Sequence, residues 1–137
     1  MKRLTLVALG VLASACTAGS LQAQSREVRA NIPFDFAVGS KQLPAGHYRF
    51  YTESNDTLVI QGDAPGASAL SRVYGADDSG RGSSRLIFDR FGDRYFLREI
   101  QATSIAINAE IPASKLEKQL GVQRAWLGPE RTLLALN

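Results

Sequence analysis

The sequence predicts a mainly β protein, a single antiparallel β-sandwich or partly open β-barrel with one short helix in the C-terminal half, at about residues 114–120. Three observations predict it. Apolar residues recur at every second position, first at Val28, Ala30, Ile32, Phe34 and Phe36, in alternation with Arg29, Asn31, Pro33 and Asp35. That period marks a strand with one buried face. The alternating runs are separated by clusters of Gly, Pro, Asn, Asp and Ser, the residues that turns require. Helix start signals occur in one window only, beginning at Ser114.

Residues 1–23 read as a signal peptide. Lys2 and Arg3 form a positive start, Leu4 to Ala15 is an apolar run too short to span a bilayer comfortably, and Leu21-Gln22-Ala23 places a small residue before the cut. Cleavage after Ala23 leaves residues 24–137 as a single β-rich domain without a second apolar run of transmembrane length. Cys16, the single cysteine, follows Leu12-Ala13-Ser14-Ala15, which resembles a lipoprotein box with alanine in the place of the usual leucine. Two outcomes stay open: lipidation at Cys16, or its loss with the leader. In both, no disulfide forms within one chain and the domain depends on packing.

The first strand is expected to run from Val28 to Phe36, with Ile32, Phe34 and Phe36 facing inward together. A second strand, with Tyr48 and Phe50 alternating with Arg49 and Tyr51, pairs with it across a long ordered connection containing Gly39 and Leu43-Pro44-Ala45-Gly46. Thr57 to Gln61 is a short strand rich in branched residues, and Ala67 to Tyr74 a weaker one whose apolar content is Leu70, Val73 and Tyr74. Gly75 to Ser84 is a run of loop-forming residues. Arg85 to Ala102 is a second hairpin around Phe91-Gly92-Asp93, followed by an extended segment at Ile105, Ile107 and Ile111. Its charges, Asp89, Arg90, Asp93, Arg94, Arg98 and Glu99, read as a solvated face. Ser114 and Glu117 have capping-box spacing, Leu116 and Leu120 share a helix face, and Gly121 is placed to end the helix. Val122 to Leu127 and Thr132 to Leu136 are expected to form a last hairpin that returns the apolar tail to the sheet.

Charge narrows the function classes. Removing Lys2 and Arg3 from the 16 basic residues leaves 14 against 13 acidic ones, a net charge of about +1. A nucleic-acid binder needs a basic stripe to displace counterions from phosphates, so nucleic acid is not expected as a partner. Neither a phosphate loop nor a metal-ligand spacing occurs, and no cofactor is expected. His47, the single histidine, would have to be the general base of any Ser–His or Cys–His mechanism, yet it stands beside a turn, where a surface or strand-edge position is expected. Asp77 and Asp78 offer oxygen ligands, but the loop lacks the spacing of a calcium site and includes Arg81. Tyr51, Tyr74, Phe91, Tyr95 and Trp126 are candidates for an exposed aromatic platform, most of them being needed in the core of so small a domain. Asp77, Asp78, Arg81 and Trp126 remain as a speculative ligand surface.

The strings IPFDFAVGSKQLPAGHYRF, LIFDRFGDRYFLREI and IPASKLEKQL, between Ile32 and Leu120, resemble in that order the signatures of a family of small exported bacterial proteins known mainly from genome sequences. The resemblance implies a secreted β-rich domain followed by a short basic helix, and carries over no catalytic residue. Gly121 to Asn137 extends past that pattern. The LPAG-x-Y-x-F segment is similar also to turns in transthyretin-like and immunoglobulin-like sandwich modules. The expected function is a secreted or periplasmic, non-catalytic binding or structural module of the envelope, with an envelope polysaccharide or protein as partner. The alternative is a small extracellular hydrolase that uses a carboxylate pair no spacing singles out.

Overall fold

The computed structural model describes residues 27–54, 56–75, 83–103, 107–123 and 128–136. Cys16, the cleavage site after Ala23, Asp77, Asp78, Arg81, Ile105 and Trp126 lie outside them. The alternation at Val28, Ala30 and Ile32 produces strand β1 (Glu27–Ile32), with those three side chains buried and Arg29 and Asn31 exposed. It stops at Pro33, which has no N–H for a ladder. The chain turns a corner over residues 33–35, and Phe36 opens β2 (Phe36–Val38) in a different sheet. The single strand expected from Val28 to Phe36 is therefore two strands. Phe34, at the corner, is half-buried instead of facing inward with its neighbours; its ring stacks on Tyr95 at 4.0 Å and meets Phe88 edge-on at 5.1 Å.

Gly39, at φ 60°, turns the chain into β3 (Lys41–Leu43), and β4 (Gly46–Ser54) then returns to pair with β1 from Glu27↔Tyr51 to Ile32↔Gly46. The expected hairpin exists in this β1–β4 pairing, with a β2–β3 excursion inserted in its connection. Two side chains hold the Pro44–Ala45 turn. Asp35 Oδ1 accepts the Ala45 N–H at 2.8 Å, and the buried Tyr48 hydroxyl donates to the Pro44 carbonyl at 2.6 Å. Burial, and then the negative charge of Asp35, raise the Tyr48 pKa above the ordinary phenol value, which keeps it a donor.

Next come β5 (Thr57–Gly62), β6 (Ser68–Arg72) and the short β7 (Tyr74–Gly75). The strand expected from Ala67 to Tyr74 is split between sheets. Its apolar content also differs: Ala67, Ala69 and Val73 are buried, while Leu70 and Tyr74 point outward. Gly62 sits where the chain leaves β5, its N–H bonded to the Ala67 carbonyl at 2.6 Å. A Cβ there would lie 2.7 Å from the Tyr48 ring and 2.9 Å from the Ala67 backbone oxygen. Gly62→Ala should accordingly lower the unfolding free energy by about 1–3 kcal/mol, the scale of overpacking a tight site, as read by denaturant titration. A neutral result would mean that the two chain segments separate freely there.

The predicted second hairpin is present as β8 (Arg85–Phe91) and β9 (Arg94–Ala102), turned by Gly92 at φ 65°. It is followed by β10 (Ile107–Glu110), helix α1 (Lys115–Gln123) and β11 (Glu130–Ala135). One sheet has the order β1-β4-β5-β6. The other runs β11-β8-β9-β10-β7, with β2 lying parallel on β9 and β3 outside it. Their inner faces share a core that includes Ile32, Phe36, Tyr48, Phe50, Leu58, Ile60, Leu86, Phe88 and Ile100.

The capping box forms as its spacing predicts: the Glu117 N–H donates to Ser114 Oγ at 3.2 Å and the Ser114 N–H to Glu117 Oε2 at 3.1 Å. The rest of the helix differs from expectation. It continues through Gly121 to Gln123, so Val122 and Gln123 are helical and not the arm of a hairpin; Arg124 to Leu127 fall outside the described residues. Leu120 packs on Ala37, Phe91 and Phe96, but Leu116 is exposed. Glu117 takes the buried place. Its carboxylate accepts a hydrogen bond from Arg98 Nη2, and Arg98 Nε reaches Asp89 Oδ2 at 3.0 Å, with Nη1 on the Ile111 carbonyl at 2.9 Å. Asp89 and Arg98, expected on a solvated face, are thus enclosed under the helix. The tail does return to the sheet, as β11 paired along β8.

Candidate functional site

Period-two alternation forces every polar residue between the buried positions of β1, β4 and β5 onto the outer face of the four-stranded sheet. Register then decides which of them meet. Asn31 stands opposite His47, and Arg29 opposite Arg49, which stands opposite Gln61. Asp63 extends the first line, because its N–H donates to the His47 carbonyl at 3.2 Å. The result is two adjacent rows, Asn31–His47–Asp63 and Arg29–Arg49–Gln61. With strands about 4.8 Å apart and same-face residues about 6.6 Å apart, they cover about 10 Å by 7 Å. A half-open groove of about 330 Å³ is lined here by Arg29, Asn31, His47, Arg49 and Asp63, over the Ala30–Tyr48 strand pair.

The two arginines are held differently. Arg29 donates through Nε and Nη2 to Glu27 Oε1, at 3.0 and 2.6 Å, which offsets its charge. Arg49 donates through Nη2 to the neutral Gln61 Oε1 at 3.1 Å, and among the described residues no carboxylate is within ion-pair distance of it. Like charges directly opposite on neighbouring strands are destabilising, by up to about 1 kcal/mol. Glu27 tempers that repulsion at Arg29 and leaves Arg49 the uncompensated member of the facing pair among the described residues. The side chains of Asn31, His47 and Asp63 make no hydrogen bond to other described residues, so their donors and acceptors are open to a ligand. A third row adjoins the polar ones: Glu27, Tyr51 and Val59, all half-buried, and Leu70, 68% exposed.

His47 is exposed as expected, but on an interior strand of its sheet and not at an edge. The aromatic platform does not assemble among the described residues. Phe91 is buried, Tyr95 lies under Phe34, Tyr74 is exposed on β7, and only Tyr51 adjoins the groove. Among the described residues no group of three or more His, Cys, Asp or Glu side chains could hold a metal ion, and no helix is long and apolar enough to cross a membrane. The Asp89–Arg98–Glu117 cluster is the second concentration of charge. Burial pushes the Glu117 pKa up, with Arg98 and the Ser114 N–H opposing and Asp89 adding to the rise. Because α1 covers it, that cluster docks the helix and leaves no room for a ligand.

No family model, no curated protein and no solved structure matches this chain. Arg29, Asn31, Arg49 and Asp63 were not singled out by sequence reasoning. Their signal was present in the outward positions of two alternating segments, but without register nothing tells which outward residues share a row.

Proposed function

We propose that this chain is an exported, envelope-associated module that binds its partner without turning it over. The observation that carries the reading is the groove on β1 and β4: among the described residues, an arginine without a carboxylate partner and three unengaged polar side chains, on or beside neighbouring strands of a packed sheet. Fixed polar groups on a rigid scaffold suit recognition, whereas hydrolysis also requires a positioned base with a nucleophile or water. The leader at residues 1–23 supports export, to the periplasm or the exterior.

Two measurements test this reading. Intact mass of the protein expressed from its full sequence in an exporting host should correspond to a chain beginning at Gln24; acylation on Cys16 as the new terminus would mean a lipid-anchored form. A cytoplasmic protein that retains Met1 would sink both. Incubation of the exported protein with peptidoglycan, envelope polysaccharides and native envelope extract should give retention without released fragments. Defined fragments whose release disappears on changing a single carboxylate or His47 would make it the carboxylate-dependent hydrolase instead.

A further inference from the structure

We infer that the groove on β1 and β4 is a binding site for a carboxylated sugar, a uronic-acid unit of an acidic envelope glycan. This rests on the reading of the chain as a binding module and assigns that module's ligand class. Three features of the groove select the ligand. Arg49 provides the charge: its one bond goes from Nη2 to a neutral amide, which leaves the second Nη2 proton with Nη1 or Nε as a planar fork matched to a carboxylate. Arg29, directly opposite, is aligned by Glu27 and keeps Nη1 for the same anion. An anion between them also relieves the repulsion of the facing pair.

The neighbouring row provides hydroxyl chemistry. Asn31 offers both a donor and an acceptor, His47 does the same in its neutral form, and Asp63 accepts only. Such a mixture suits the hydroxyls of a sugar ring. It does not suit a dense polyanion, because Asp63 stands diagonally across the rows from Arg49, at about 8 Å between backbone positions. A phosphate polymer that crosses both rows would meet that carboxylate, whereas a sugar with one carboxylate can turn its hydroxyl edge towards it. On the opposite side of Arg49, Tyr51 follows two residues on along the same face and offers an aromatic surface to a sugar ring. A charged fork, a row of mixed hydrogen-bonding groups and an aromatic ring thus occur in succession across one rigid face.

The test uses the exported protein, calorimetric titration with an oligogalacturonate of defined length, and a neutral cello-oligosaccharide of the same length as comparison. The acidic oligomer should bind at least about tenfold more tightly, a difference of about 1.4 kcal/mol, with affinity falling as salt is raised. Gln61→Glu leaves every groove donor in place but sets a carboxylate against Arg49; it should weaken the acidic oligomer by at least about tenfold and leave the neutral one unchanged. Lys118→Ala, on α1 away from the groove, should change neither. Equal binding of the two oligomers, or an acidic oligomer indifferent to Gln61→Glu, overturns the assignment. Absence of oligomer binding also overturns it, and if envelope extract still retains the protein, the binding-module reading survives with its site elsewhere. Fragment release from the oligomer overturns the module reading itself.

Discussion

Replacing Phe36 by alanine should lower the unfolding free energy by about 3–5 kcal/mol, the scale for truncating a fully buried aromatic ring. The ring is completely enclosed and meets two others edge-on, Tyr48 at 5.0 Å and Phe88 at 5.7 Å. It also sits where β2 crosses to lie on β9, so its loss leaves a cavity between the two sheets that backbone pairing on either side prevents from collapsing. Phe34→Ala should cost clearly less, since that ring is half-buried at the corner and its contacts are with Tyr95 and Phe88 alone among the aromatics. Asp35→Ala removes one exposed hydrogen bond to the Ala45 N–H and should cost about 1 kcal/mol. Denaturant titrations of the three variants give the comparison. Equal losses for Phe34 and Phe36 would contradict the break at Pro33, because a continuous strand would bury both alike.

The other large effect should come from Arg98→Met. Methionine keeps much of the aliphatic packing but removes the guanidinium that binds both Glu117 and Asp89, whose side chains are only 5% and 8% exposed. Two enclosed carboxylates are then left without their shared partner. Breaking a buried ion pair from one side typically costs about 3–5 kcal/mol. Asp89 Oδ1 already lacks a hydrogen bond, and among the described residues its remaining cation is the exposed Arg131, 3.9 Å away, too far and too exposed to replace Arg98. Helix α1 should loosen first, which hydrogen exchange at its amides would show. Replacing Asp89, Arg98 and Glu117 together by apolar residues should restore much of the loss, since no charge would then remain buried.

The same cluster imposes a pH dependence with a definite sign. The folded-state pKa of Glu117 is raised, chiefly by burial. Its contribution to stability is therefore fully present below the unfolded-state value and is lost as pH rises through the folded-state value. Glu117→Gln removes that titration. The stability of the wild type relative to Glu117→Gln should rise as pH falls through the carboxylate range; a flat difference would mean that Arg98 cancels burial, and one that grows with rising pH that Arg98 outweighs it. In Arg98→Met the pKa-lowering partner is gone, so the variant's deficit should shrink towards acid pH.

Much of the architecture was legible because it follows from local rules. Alternation at Val28–Ile32 and at Tyr48–Phe50 determined which of these elements are strands and which face is buried, since a strand shows its two faces to opposite sides whatever it packs against. Gly92 marked the tip of the second hairpin, and Ser114 with Glu117 marked the start of the helix, because both depend on residues within a single turn. Tertiary structure decided the rest. Pro33 could have kinked an edge strand; that it sends Phe36 into the other sheet depends on β9, some sixty residues later, supplying the ladder. Leu116 was expected to share a helix face with Leu120 and Glu117 to cap the helix; that Glu117 is also the buried residue, with Leu116 exposed, depends on Arg98 lying under the helix with a charge to satisfy. The groove belongs to the same class. Arg29, Asn31, His47, Arg49 and Asp63 are ordinary outward residues in sequence, and only strand register, a property of paired chains and not of any one segment, sets them in adjoining rows.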